Sequence, residues 1–342
     1  MTTSKFKQRL KALALSTSIA LTPALAMAEE WKFAIEEIPG SIMDAYAQEF
    51  KKRIEDKTQG DVTIKVYPLG SLGTPTELVE LVADGVVQFA NVSVGNLGTI
   101  VPESQIFLLT YTLPSDSNAI SELLTSSQMI YGELGKDFET KGLKLHTMYS
   151  EGPQVWTTNR EIRTPADFDN FKMRVMVSPI LLKAYEDLGA SPTPLPFGEV
   201  YGALQLKQVD GQINPVPAIE EMKFYEVTDY MIWAGEQELV TSVMSGTDWY
   251  DTLPAERKQL ISETTAEMQD FIEDVVEQFN EDKLARIKAA RPDIKMIELT
   301  EEERAAFRER SKDTHSAYID ITGKRGQELL DALLAEVDTM KR

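Results

Sequence analysis

Cysteine is absent from the 342 residues, and histidine occurs only as His146 and His315. Without thiols there can be no disulfide framework, no thiol nucleophile and no thiolate metal site. The two histidines have no partner at metal-ligand spacing, which leaves a poor case for zinc. No P-loop and no G-x-G-x-x-G occurs, and G-x-S-x-G is missing as well. No cofactor is therefore expected. Basic residues are scarce: 35 Lys and Arg stand against 55 Asp and Glu, a formal charge of −20. Such a surface argues against nucleic acid and anionic membranes as partners. A core of this size needs no disulfide, so the missing cysteines do not argue against secretion.

The longest apolar run lies at the start. Lys5, Lys7, Arg9 and Lys11 precede the mostly apolar stretch Ala12 to Leu25, which is short for a membrane span. Ala26-Met27-Ala28 then forms a small-x-small site before Glu29. Residues 1–28 read as a cleavable secretory signal peptide. No Cys follows the apolar run, so a lipid anchor on the mature N-terminus is not expected.

After this leader the order is α/β. Trp31, Phe33 and Ile35 alternate in a first strand, Val62, Ile64 and Val66 in a second, and Phe89 to Val94 forms a third. Helical patterns over Ser41–Lys57 and Pro75–Val87 lie between them, which implies parallel strands with helices on the sheet faces. Ligands of such sheets lie off the carboxyl ends of the strands, making Glu37, Ser93 and Asn96 plausible rim groups. Leu143 to Tyr149 is a further strand, leading through Gln154 and Trp156 in a first crossing between lobes. A return crossing falls within Val227 to Val243. Pro254 to Ala290 reads as one long helix that Arg291-Pro292 stops.

The most informative stretch runs from Lys172 to Pro215. Arg174 sits among Met173, Val175 and Val177, a setting for a buried strand rather than a solvated face. Prolines 192, 194 and 196 exclude a helix interior or a central strand. Asp210-Gly211 turns into a strand that ends at Asn214-Pro215. The bland reading of a lone buried Arg is a structural ion pair. The functional reading is a carboxylate clamp, because the guanidinium fork matches a carboxylate with two donors.

The run F-K-M-R-V, then L-G-A-S-P-T-P-L-P-F-G-E-V-Y-G-A-L-Q, then V-D-G-Q-I-N-P resembles the solute-binding proteins of TRAP transporters, the DctP-type family. The resemblance covers essentially the whole chain after residue 28. It implies a two-lobed periplasmic binding protein with a central cleft, hinge crossings and a long helix spanning both lobes. The expected division is 29–152 with about 240–279 for one lobe, and about 153–239 with 280–342 for the other. It also implies that Arg174 grips a ligand carboxylate, that Asn214 helps position it, and that TRAP membrane subunits receive the solute. A monomer without a membrane anchor is the expected state.

W-K-F-A-I-E-E and P-L-P-F-G-E-V-Y-G-A-L-Q look most like the ectoine-binding branch, where a Glu matching Glu37 meets cationic ring nitrogens. That branch encloses its ligand in an aromatic box, which is changed here. Asn96 and Leu239 stand where Phe is expected, Phe197 stands where Trp is, and Ile213 replaces a Glu. Gln154 takes the place of an Arg found in binders of long sugar acids. Phe197 covers an apolar ligand face in this reading, or is plain core. Trp156 packs on the ligand or fills the second lobe. Glu36, Glu236 and Glu238 are weaker candidates. The expected ligand is a small organic acid or zwitterion. A simple C4-dicarboxylate binder, a secreted α/β enzyme and a sensor module are the alternatives.

Overall fold

The computed structural model of the chain describes residues 28–340. The expected leader lies, apart from its last residue, outside the described residues. Eleven strands form two sheets: β1 (Glu29–Ile35), β2 (Val62–Tyr67), β3 (Phe89–Ser93), β4 (Leu143–Pro153), β5 (Val155–Thr158), β6 (Lys172–Val175), β7 (Ser191–Pro194), β8 (Gly211–Asn214), β9 (Tyr230–Trp233), β10 (Glu238–Gly246) and β11 (Lys295–Glu298). The first sheet has the order β2-β1-β3-β10-β4, the second β11-β9-β5-β8-β6-β7. Each sheet is the centre of one lobe.

In lobe 1 the crossover helices Ile42–Lys57 and Pro75–Ala83 make β1, β2 and β3 parallel. Both helices start at side-chain caps, Ser41 and Thr74, the latter in a full capping box with Glu77. β10 then enters antiparallel between β3 and β4. In lobe 2, β7 carries Pro192 and Pro194 and sits at the sheet edge, where a missing N–H costs least.

Two strand-to-strand crossings join the lobes. β4 passes into β5 at Gln154, and β9 passes into β10 through residues 234–237. The crossings are tied together by Gln154 N–H donating to Gln237 O at 2.9 Å. The helix Ala255–Ala290 is 36 residues long, about 54 Å at 1.5 Å per residue. Its Ile261, Met268 and Ile272 pack into the lobe 1 core, and its Ile287 packs into a lobe 2 core. Among the described residues no helix is long and apolar enough to cross a membrane.

The end of the chain departs from expectation. The helical run Lys312–Met340 breaks at Gly323, which has φ +65°. Before the break, Thr314 donates to Asp187 of lobe 2. After it, Arg325 makes ion pairs with Asp137 and Glu133, and Glu336 accepts from Met129 N–H. Residues 324–340 thus pack on lobe 1, whereas the expected division gave 280–342 to lobe 2. The glycine supplies a left-handed residue that a side chain would resist, and that turn sends the last segment back.

Gly246 ends β10 where a Cβ would stand 2.3 Å from the Val82 carbonyl oxygen. Backbone on both sides leaves no cheap relaxation. Gly246→Ala is expected to cost about 1–3 kcal/mol, read as a lower denaturant midpoint at unchanged slope. An unchanged midpoint would contradict this packing.

Candidate functional site

The carboxyl ends of β1 and β3 in lobe 1 face the end of β6 in lobe 2. Arg174 is 1% exposed. Its Nε and Nη2 both donate to Leu195 O, at 3.0 and 2.8 Å. Nη1 has no hydrogen-bond partner among the described residues. Burial lowers the guanidinium pKa to about 10, a fall that the field of Glu36 partly offsets.

Glu36 is the first residue of the loop that follows β1, and it is held by two donors. Ser93 N–H meets one oxygen at 3.0 Å and Asn96 Nδ2 the other at 3.0 Å. Burial nevertheless raises its pKa to about 7, against the pull of these donors. Glu37 turns differently. Its carboxylate accepts weakly from Met43 N–H at 3.4 Å and interacts with Ser41 and Glu151. Burial raises the pKa of Glu37. Glu151 is raised further, by burial and then by the charge of Glu37. Beside them Lys283 of the long helix bonds Glu221 at 2.6 Å and Glu220 at 3.4 Å. Burial and the charge of Glu37 still raise Glu221 to about 8. No group of three or more metal-ligating side chains is poised to hold a metal among the described residues.

Past the end of β6 the chain turns at Val177, where Ser178 N–H donates to Met176 O at 2.8 Å, and Met176 and Ser178 both reach lobe 1. Met176 Sδ lies 3.4 Å from Ser93 Oγ. A Cβ on Gly95 would come within 2.4 Å of Met176 Cε, so the bare backbone there makes room for the thioether. Ser178 Oγ donates to Gln105 Oε1 at 2.7 Å and caps the helix Pro179–Asp187. The buried Gln105 amide also donates to Gly98 O and Pro102 O, so its flip is fixed by its partners.

The other expected site residues divide. Asn214 is buried at the end of β8 and its amide donates to Gln212, which donates in turn to Thr157. Gln154 is buried with Oε1 unpartnered, as is Gln237 Oε1 on the facing crossing. Phe197 is half-buried and edge-on to Phe224 at 5.9 Å. Leu239 is buried in the core. Trp156 is not a cleft wall. It is fully buried against Phe168, Tyr185 and Phe307, and its Nε1–H donates to Tyr185 and Glu236. Its side chain therefore points away from Arg174 into lobe 2. Glu236 accepts from Trp156 and Tyr185 through Oε1, while its Oε2 has no partner among the described residues, and Glu238 accepts from Ser150 at 2.6 Å. The sequence reading missed Glu151, Gln237, Gln105 and Met176. For Met176 a signal existed: it stands two residues after Arg174 on an extended segment, hence on the same face.

Glu36, Glu236 and Glu238 rise to about 7 and Glu221 to about 8, all chiefly through burial. The unfolded chain releases these protons near pH 4.5, so the folded form binds more protons between pH 4.5 and 8. Stability from these groups is full below that window and is lost as pH rises through it. The thermal midpoint of the ligand-free protein should fall between pH 5.5 and 8, and Glu36→Gln should flatten part of that slope. A midpoint that stays flat over this range would show these carboxyls ionised throughout.

Residues 33–320 match the family described as DctP, bacterial extracellular solute-binding protein, family 7. The chain is 36% identical over 316 residues to the ectoine-binding periplasmic protein TeaA of Halomonas elongata, covering 92% of each. It is 36% identical over 312 residues to the ectoine/5-hydroxyectoine-binding periplasmic protein UehA of Ruegeria pomeroyi, covering 91% of each. The fold matches a high-resolution structure of the periplasmic ectoine-binding protein from the TeaABC TRAP transporter of Halomonas elongata. That match has a TM-score of 0.88 at 37% identity and covers 91% of this chain and 100% of that one. This chain belongs to the DctP family of bacterial extracellular solute-binding proteins.

Proposed function

We propose that this protein is the periplasmic solute receptor of a TRAP transporter and captures a small solute with one carboxylate and a donor-bearing or cationic far end. The observation that carries the reading is the unpartnered Nη1 of a guanidinium that is 1% exposed. A buried charge left short of a partner costs stability, and binding a carboxylate oxygen there recovers it. Arg174 holds the anion, Asn214 lies beside it at the end of β8, and Phe197 covers an apolar face. Glu37 and Glu151 supply acceptors for a cationic or N–H group. Gln154 and Gln237 present further unpartnered carbonyl oxygens at the crossings.

The same acids disfavour a plain dicarboxylate, whose second charge would enter among Glu37 and Glu151 as a like charge. Relatives named for ectoine and 5-hydroxyectoine point to the same zwitterionic class. The altered residues Asn96, Phe197 and Leu239 make the pocket wall less aromatic than the branch pattern. The two crossings and the long helix are the elements about which the lobes close. The protein works as a binder with no chemistry of its own, is exported by its leader, acts as a monomer, and hands its solute to membrane subunits.

Thermal unfolding against ectoine, 5-hydroxyectoine, betaines and dicarboxylates tests this reading. A ligand at 100 times its Kd stabilises by about 2.7 kcal/mol, seen as a raised midpoint. Arg174→Met should keep or raise the midpoint of the ligand-free protein, because an unpaired buried charge is gone, and should abolish the ligand-induced rise. A variant that still responds to ligand would remove Arg174 from the site.

A further inference from the structure

The short helix Val94–Leu97 at the end of β3 contains Gly95 and is followed by Gly98. Neither glycine is there for its backbone, because neither has a positive φ, and a helical glycine forgoes stability that alanine would keep. What both provide is space. Three residues apart, they lie on one face of the turn. A Cβ on Gly95 would stand 2.4 Å from Met176 Cε, 2.7 Å from its Sδ and 3.3 Å from its Cβ. A Cβ on Gly98 would stand 2.4 Å from Gln105 Cδ. Gln105 is held by Gly98 O and Pro102 O and presents Oε1 to lobe 2, where Ser178 Oγ donates at 2.7 Å and Ile180 N–H at 3.3 Å. The bare face of lobe 1 is thus met by the residues that follow Arg174 in lobe 2.

Met176 is the part of this contact that bears on the site. It is buried, it stands two residues past the guanidinium, and its Sδ lies 3.4 Å from Ser93 Oγ. Ser93 N–H and the Asn96 amide, on either side of Gly95, hold Glu36. The thioether therefore meets lobe 1 where lobe 1 lines the cleft. We propose that Met176 is a positioning residue for binding: it seats in the Gly95 notch as the lobes close, and the depth of that seat sets how near Arg174 comes to the lobe 1 rim. This inference rests on the capture of an anionic group at Arg174 proposed above. An added methyl in the notch holds the lobes apart, so that Arg174 and the rim no longer reach one small ligand together. The damage falls on binding and spares the resting fold. With the lobes apart, Gly95→Ala meets nothing and loses only freedom of the unfolded chain. With the lobes closed, it meets Met176.

The test is calorimetric titration with ectoine, alongside thermal unfolding of the ligand-free proteins. Gly95→Ala should bind about tenfold more weakly than wild type, with a ligand-free midpoint equal to or above that of wild type. Once Met176→Ala has removed the side chain it meets, Gly95→Ala should cost no further affinity, a coupling that independent sites do not show. Wild-type affinity in Gly95→Ala, or the same loss in both backgrounds, overturns the proposal. A lower ligand-free midpoint in Gly95→Ala overturns it too, because the contact then belongs to the resting fold. If ectoine gives no binding to wild type, the ligand reading fails on its own account, and a cross-link decides the contact. The chain has no cysteine, and 3.3 Å between the two Cβ positions is close to the spacing that a disulfide spans. Gly95→Cys combined with Met176→Cys should oxidise to one intramolecular disulfide and lower the radius of gyration in X-ray scattering, reversibly with reductant. No disulfide, or a disulfide at unchanged radius of gyration, overturns the proposal.

Discussion

A guanidinium with 1% exposure and one nitrogen unpartnered is the constraint on which the rest of this site depends. Arg174 is fixed by two bonds to Leu195 O, so its fork cannot swing to find another acceptor. Leu195 lies in the proline-rich segment that follows edge strand β7, and that segment is stiff because Pro194 and Pro196 flank it. The guanidinium is thus pre-organised, and in the proposed site little entropy would remain to be lost when an anion arrives. The cost is a charge held out of water, which the field of Glu36 partly offsets.

In the proposed site, the acids around the cleft would turn that constraint into selectivity. Lobe 1 presents Glu36, Glu37 and Glu151, and burial shifts all three toward the neutral form. Lys283 reaches in from the long helix but is already engaged by Glu221 and Glu220 of lobe 2. One cationic hydrogen-bond fork therefore faces several acceptors, an arrangement suited to one anionic group and several donors. The helix Ala255–Ala290 packs on both lobes, and Lys283 holds its second half to the lobe 2 helix Val216–Glu221. The polar arrangement of the cleft and its mechanical link share these residues.

Much of the fold was legible because hydrophobic period and caps act locally. The alternation of Trp31, Phe33 and Ile35 and the apolar stripe of Met268 and Ile272 could each be met by one element type. The prolines at 192, 194 and 196 excluded a helix interior and a central strand, but that part of the segment forms edge strand β7 was not read from them. The C-terminal segment was not legible, because a single left-handed Gly323 sets its direction, and where it docks depends on Arg325 meeting Asp137 and Glu133 far away in sequence. At the site, Arg174 stood out as a charge among apolar residues. Which of two adjacent acids faces it did not: Glu36 and Glu37 differ only in how the loop after β1 turns, and that turn is set by Ser93, Asn96 and the cap at Ser41. Trp156 carried the same ambiguity, since a strand residue faces one side or the other and its register against Ile213 and Ile232 decides.

The most direct measurement is a crystal structure of the protein with ectoine or with the ligand found by thermal screening. The account predicts a ligand carboxylate oxygen at about 2.8 Å from Arg174 Nη1, a charge-assisted distance, with Leu195 O still bound to the other two nitrogens. A ligand seated elsewhere, with Arg174 Nη1 unpartnered, would contradict it.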